Sequence, residues 1–469
     1  MERGPVTKAN PPRSLDSWEG YRSAAQELSR VMAGRAGNRV RLMKETSNLF
    51  RPRSESSGKL DVRRLNRVIE VDPERRVAEV EGMTTFEAFV DATLPRGLRP
   101  PVVPELKTIT VGGAVSGVGI ESSSFRYGLV HETVEAMEIL CGDGTIRLCR
   151  ADNEHADLFH AIPNSYGTLG YILRLRVKLL PSLPFVALSH RRFTDRVQFL
   201  AALVAACAQG PDAPDFVEGV VFAPGDFVLT KARLTAEAGP LSDYTGMRIY
   251  YRSLQSRTED RLTVRDFLWR WDPDWFWCSR SFGMQNPLLR LLFGRWMLRS
   301  SSYWKLKALY ERWKIEERGN AIRKALHRPV ERFEQVIQDV QIPIENVPEF
   351  LDFYTREIDI RPCWICPLRP LAAATGWTLF AMKPGALYLN FGFWGSVGTT
   401  PGMAAGHFNR RVEGMVHRLG GRKSLYSQSF FPEEEFWRIY NGDAYRKLKA
   451  KYDPQGAFED LYRKAVLGH

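Results

Sequence analysis

Six cysteines in 469 residues are too few to staple a chain of this size as a disulfide framework, and they point to a reducing, intracellular setting. No apolar run reaches the roughly 18–20 residues of a spanning helix, so any membrane is expected to be met from outside. The opening MERGPVTKANPPRSLDSW has no apolar h-region, so no signal peptide is expected. No zinc-finger, basic-zipper or RNP signature accompanies the basic residues, which argues against a nucleic-acid partner. The one CxxC, CWIC at 363–366, has no second pair and lies between Pro362 and Pro367; it reads as core packing, and no metal site is expected. There is no internal repeat.

What is present is a globular composition, 44% hydrophobic and 26% charged, over a length that favours two or more domains. The net charge of +12 favours anionic partners. Because the arginines are scattered, an acidic lipid surface or a phosphate-bearing cofactor suits them better than nucleic acid. The expected location is cytoplasmic, with peripheral contact at the inner face of the membrane.

Residues 1–35 read as a flexible lead and a helix. RVIEVDPERRVAEVEGM (67–83) predicts two short strands about Asp72-Pro73, and TTFEAFVDATLPRG (84–97) a Thr-capped helix ending before Pro95. LRPPVVPELKTIT (98–110) is proline-rich and irregular. VEAMEILCGDGTIRLC (134–149) predicts a hairpin, and 156–181 a helix, a glycine loop and a β-branched strand. The order β-β-α-β-β-α-β argues for an α+β fold rather than repeated β-α-β units. Composition shifts near Leu180–Pro184, dividing the chain into 1–184 and 185–469. Seven of the 12 tryptophans fall between Trp269 and Trp313, interleaved with Arg and Lys. Amphipathic helices from about 430 to 469 are expected to pack back on the first domain.

TVGGAVSGVGIESSSFRYG (110–128) comes one residue short of the G-x-G-x-x-G dinucleotide fingerprint. A Rossmann loop needs a hydrophobic strand before it and a helix after it. Prolines precede this stretch and serines follow it, so neither is expected. The glycines still suit phosphate, because their backbone N–H groups approach a ligand with no Cβ in the way. SYGTLGYI (165–172) is a second such loop. Two tight turns with no ligand remain the alternative.

Beyond spacing, GIESSS, YGL, DLFHAIP and GTLG, with FVEG (216–219), NPLLRLLFG (286–294), WICP (364–367), GHFNRRVEG (406–414) and EEFWRIYNGDAYRKLK (434–449), resemble the delta-24 sterol reductases of the vanillyl-alcohol oxidase/PCMH superfamily over roughly 60–465. The resemblance implies an α+β fold with a two-subdomain PCMH-type FAD-binding domain and an α+β cap domain over the flavin. It implies an enzyme that reduces an isolated C=C bond of a lipid, a sterol side chain or a methylene-branched acyl chain, with NADPH as hydride source. An FAD-dependent alcohol or sugar oxidase of the same superfamily is the alternative, and a non-catalytic lipid binder a third. Carried over by position, Thr110, Val111, Gly112, Gly113, Ala114, Val115, Ser116, Gly117, Val118, Gly119, Ile120, Glu121 and Ser122 would line the pyrophosphate and ribityl chain, and Gly167, Thr168, Gly170 and Ile172 would form the second loop. The superfamily's Arg-Gly-Gly phosphate loop is missing. RLMKETSNLFRPR (41–53) stands in its place, with Thr46, Ser47 and Asn48 as substitute donors and no histidine for a flavin link, so FAD is expected to be noncovalent.

An unactivated alkene needs a proton donor held in a dry pocket. The candidates are Glu218, which interrupts the apolar run DFVEGVVF, His407 in AAGHFNRR, and Tyr388, which shares a strand face with Asn390 in LYLNFGF. Each has a plainer reading: an edge-strand carboxylate facing water, a helix-terminal histidine, and packing. The tryptophan-rich segment 269–313 is expected either to meet anionic lipid or to wall a substrate tunnel.

Overall fold

The computed structural model describes residues 14–35, 39–45, 50–51, 58–208, 210, 212–303, 305–306, 332–371 and 376–468. Thr46, Ser47, Asn48, Trp304 and Trp313 therefore lie outside the described residues.

The fold is α+β. The predicted strands on either side of Asp72-Pro73 are Val68–Asp72 and Val77–Glu81; the helix Phe86–Thr93 follows, with the Thr85 side chain accepting from Ala88 N. Pro95 turns its end into a 3-10 turn closed by Gly97 at φ 68°. These strands belong to a five-stranded antiparallel sheet in the order Val68–Asp72, Val77–Glu81, Tyr171–Lys178, Val134–Leu140, Ile146–Cys149. A parallel pair, Val40–Met43 with Gly58–Asp61, was not anticipated. It packs with the helix Ser14–Ala33 around Tyr21, Leu28 and Leu60.

The second sheet has eight antiparallel strands. Their order is Glu259–Thr263, Phe185–Phe193, Asp226–Thr235, Phe216–Ala223, Cys363–Leu368, Tyr388–Gly398, Phe333–Pro343, Arg422–Lys423. Helices Arg196–Ala206, Val347–Glu357 and His407–Arg418 bury one face through Phe199, Phe350 and Val412 against Leu229, Phe391 and Ile365. The other face carries Phe216, Val220, Trp364 and Cys366 into a core shared with Trp269, Trp271, Trp275 and Trp277 and with the first sheet. CWIC is thus an interior strand with both thiols buried, as its packing reading requires.

The chain end returns to the first sheet. Gly142 N donates to Tyr452 O at 2.9 Å, Val40 N to Ala457 O at 2.9 Å, and Lys449 Nζ to Thr168 O at 2.7 Å. Among the described residues no helix is long and apolar enough to cross a membrane.

The glycine stretch differs from expectation. Val111–Ser116 is a helical turn capped by Thr110, whose hydroxyl accepts from Gly113 N at 3.2 Å. A second turn, Ser124–Tyr127, follows the serines. Propensity disfavours helix here, and tertiary contact overrides it. Val111 N donates to Thr84 O and Gly112 N to Gly82 O, so the neighbouring backbone satisfies the helix start. Among the described residues no parallel strand feeds the turn, and the Rossmann exclusion stands.

Candidate active site

The two glycine-rich segments come together on a cavity of about 540 Å³ between the sheets. Of the residues carried over by position, Thr110, Gly112, Gly113, Ala114, Ser116, Gly117, Val118, Gly119 and Ile120 line it, as do Gly167, Gly170 and Ile172. Val111, Val115, Glu121, Ser122 and Thr168 are buried behind that wall. Val118 and Tyr166 hold φ of 54° and 50°, a left-handed backbone costly for a β-branched or bulky residue, and both line the cavity.

Cations come from elements that sequence reading underused. Arg39, Arg41, Lys44, Arg51, Lys59 and Lys464 all line the cavity, and Lys464 Nζ donates to Tyr166 O at 2.8 Å. Burial and the charges of Arg51, Lys44 and Lys449 push the Lys464 ammonium down to about 7. This set of cations suits the pyrophosphate of FAD, whereas Gly112 N and Gly113 N are already committed to Gly82 O and Thr110 Oγ1. The signal was present in the RLMK and LYRK stretches, but only folding brings them together.

Aromatic rings form another wall. Trp275, Phe276, Trp364 and Trp394 line the cavity, with Phe276 4.5 Å from Trp394 and 5.5 Å from Trp364, centroid to centroid. Asp339 and Gln341 alternate along Phe333–Pro343 and line the same space. Asn390 Nδ2 donates to Asp339 Oδ1 at 2.7 Å, Gln341 Nε2 donates to Asn390 Oδ1 at 2.6 Å, and Trp394 Nε1 donates to Tyr426 OH at 2.9 Å. The Tyr426 phenol also lies near Asp339 and favours its carboxylate form.

Behind the cavity wall lies a buried charge cluster. Glu218 accepts from Tyr250 OH (3.0 Å), Trp271 Nε1 (3.1 Å), Trp364 Nε1 (3.0 Å) and Arg270 Nη2 (2.9 Å). Arg270 Nη2 also donates to Glu121 Oε1 at 2.9 Å. Burial raises the Glu218 carboxyl, but Arg270 and the other donors outweigh it and hold it below its ordinary range. Glu105 lines the cavity beside this cluster, pushed well up by burial and by Glu121.

The three nominated acids are not brought together. Glu218 is no edge carboxylate; its strand lies inside the eight-stranded sheet, and its oxygens are saturated with donors. His407 opens the helix His407–Arg418, half-buried against Phe408, and does not line the cavity among the described residues. Tyr388 packs behind the wall with Val118 and Leu129, its hydroxyl accepting from Lys383 N at 3.0 Å. Arg270 and Asp339 were missed. Arg270 is one arginine among many; Asp339 carried a signal, two polar positions alternating with valine in the strand-like QDVQIP.

The tryptophan-rich segment divides. Trp269, Trp271, Trp275 and Trp277 are buried, whereas the helix Pro287–Met297 turns its apolar residues outward, Leu291 at 70% and Trp296 at 65% exposure. Its inward residue is charged: Arg290 pairs with Asp274 Oδ1 at 2.6 Å and Oδ2 at 2.9 Å. Arg280, Arg295, Arg299 and Lys305, within this helix or close to it in sequence, are exposed. Trp275, on the cavity wall, stacks on Tyr303 just beyond this helix.

A sequence family described as "FAD binding domain" matches residues 24–150. The Delta(24)-sterol reductase of Homo sapiens is 30% identical over 413 residues, covering 85% of this chain and 75% of the relative. That of Arabidopsis thaliana is 28% identical over 446 residues, covering 87% and 76%. The decaprenylphosphoryl-beta-D-ribose oxidase of Mycolicibacterium smegmatis is 32% identical over 124 residues, 26% of this chain and 27% of the relative.

Proposed function

The chain belongs to the delta(24)-sterol reductase family, and from that premise we propose that it reduces an isolated carbon–carbon double bond of a lipid with bound FAD. It is an FAD-dependent oxidoreductase acting on a C=C bond. The carrying observation is one continuous cavity whose wall changes from glycine turns and cations to stacked aromatics. The first lining suits a dinucleotide, and the second a hydrocarbon. Bound and reduced, FAD supplies hydride from N5.

In this reading 1–184 is the two-subdomain FAD domain and 185–469 the cap. Residues 110–120 with Gly167, Gly170 and Ile172 hold the cofactor noncovalently, and Lys464, Arg51 and Lys44 face its pyrophosphate. Trp275, Phe276, Trp364 and Trp394 hold the hydrocarbon and exclude water. NADPH is the hydride source and enters the same cavity. The substrate is a sterol side chain or the chemically analogous methylene-branched acyl chain. With the flavin-loaded protein, NADPH and exclusion of oxygen, mass spectrometry is expected to show a gain of two hydrogens in a sterol bearing a side-chain alkene or in a methylene-branched phospholipid. No gain in either sinks the reading; oxygen-dependent peroxide release with an alcohol would point to an oxidase.

The same reading gives Pro287–Met297 a role as contact with an anionic bilayer. A helix that buries one arginine and exposes leucines, with exposed cations near it in sequence, suits the interface of acidic lipid. Leu291→Glu with Trp296→Glu is expected to weaken flotation with anionic vesicles by at least about tenfold, since each removes an exposed apolar side chain whose burial in the bilayer would be worth roughly 1.5–3 kcal/mol. Turnover of detergent-dispersed substrate stays unchanged. Flotation equal to wild type rejects this contact.

A further inference from the structure

Resting on that reading, a proton must reach one alkene carbon from a group that touches the substrate. Three carboxyl residues line the cavity among the described residues: Glu105, Asp339 and Glu459. Glu459 is paired with two cations, Arg39 at 2.9 Å and Arg463 at 3.6 Å. Glu105 faces Glu121, and Glu121 shares the single guanidinium of Arg270 with Glu218. Releasing its proton would set a third buried carboxylate against one cation, so Glu105 retains it. Asp339 differs from both: its partners, Asn390 and Tyr426, are neutral, and it has no cationic partner among the described residues.

We propose that Asp339 is the catalytic acid, its carboxyl held by Asn390 and Tyr426 at the aromatic wall and giving its proton to the less substituted alkene carbon. The alkene π pair forms the new C–H bond with that proton, and the O–H bond of Asp339 breaks toward oxygen. The more substituted carbon gains tertiary cation character, facing Trp394, Phe276 and Trp364, whose π faces favour positive charge. The hydride, drawn ultimately from NADPH, forms the second C–H bond. The Asp339 carboxylate left behind accepts from Asn390 Nδ2 and Tyr426 OH and regains a proton from water as product leaves. The net change is alkene, NADPH and a proton to the saturated chain and NADP⁺.

Burial pushes the Asp339 carboxyl up to about 7, so it carries its proton at and below neutral pH. Among the described residues, titratable groups that sense its charge are Tyr426, Tyr166, Cys363 and Cys366. Burial raises all four above their ordinary values, so all stay neutral and none competes for the proton.

The test is Asp339→Asn in the full-length, flavin-loaded protein, read by flavin absorbance without oxygen. NADPH is expected to bleach the flavin in wild type and variant alike. Reoxidation by the alkene is expected to slow by about 10²–10⁴-fold in the variant. The wild-type reoxidation rate should fall above about pH 7, and Asp339→Glu should restore part of the rate with a displaced pH limb. In D₂O, wild-type product carries deuterium on the less substituted carbon. Independently of turnover, difference infrared spectroscopy should show a protonated carboxyl band titrating near pH 7 and missing from Asp339→Asn. Reoxidation within about threefold of wild type, or a wild-type protein without that band, overturns the assignment. Wild-type reduced flavin that no alkene reoxidises overturns the ene-reductase reading itself.

Discussion

Arg270→Leu is expected to lose about 3–5 kcal/mol of stability, the cost of leaving buried charge without its partner. Arg270, Glu121 and Glu218 are all within 2% of complete burial. One guanidinium joins the glycine stretch 110–128, through Glu121, to the central strand of the second sheet, through Glu218. Burial alone would lower the Arg270 guanidinium, but Glu218 and Glu121 hold it well above its ordinary value. Removing it sets two carboxylates close together with Glu105 near them, and they must take up protons or let water in. Denaturant midpoints at fixed flavin concentration measure the loss. Adding Glu218→Gln and Glu121→Gln is expected to recover a large part of it, because the surviving groups no longer need a counter-charge. A single variant as stable as wild type would show that the cluster is solvated.

Gly82→Ala is expected to abolish flavin retention through gel filtration and to cost about 2–3 kcal/mol, the upper range for overpacking a close-packed site. A Cβ at Gly82 would stand 2.1 Å from Ile172 O, and one at Gly112 would stand 2.6 Å from Gly82 O. Three backbones meet here without side chains between them. Gly82 N donates to Leu173 O at 2.8 Å, and Gly112 N donates to Gly82 O at 3.0 Å. Separating them moves Gly112 and Ile172, both on the cavity wall. Gly414→Ala is the control, since a Cβ there meets nothing within 4 Å on an exposed helix face. Retention of flavin by Gly82→Ala would remove this packing from the account of the site.

Much of the local structure was legible because it rests on short-range rules. Thr85 caps its helix, Pro95 ends it, and the Gly-Asp-Gly turn joins Val134–Leu140 to Ile146–Cys149. The six-residue helix at 111–116 was not legible, because its start is satisfied by Gly82 and Thr84 from a distant turn. Glu218 stood out as a carboxylate in an apolar run, yet its role depends on Arg270, 52 residues away, and Trp364, 146 residues away. Nothing near Glu218 announces that pairing.

Residue pattern alone was enough for the class of fold and the family resemblance, since each depends on neighbours within a few tens of residues. The tertiary structure decided which carboxyl stays charged and which keeps a proton. A carboxyl's state follows from burial and from the charges within a few ångströms of it. Glu218 meets a guanidinium, Glu105 meets another carboxylate, and Asp339 meets an amide and a phenol. Those neighbours come from separate strands and loops, and only the packed cavity between the two sheets sets them side by side.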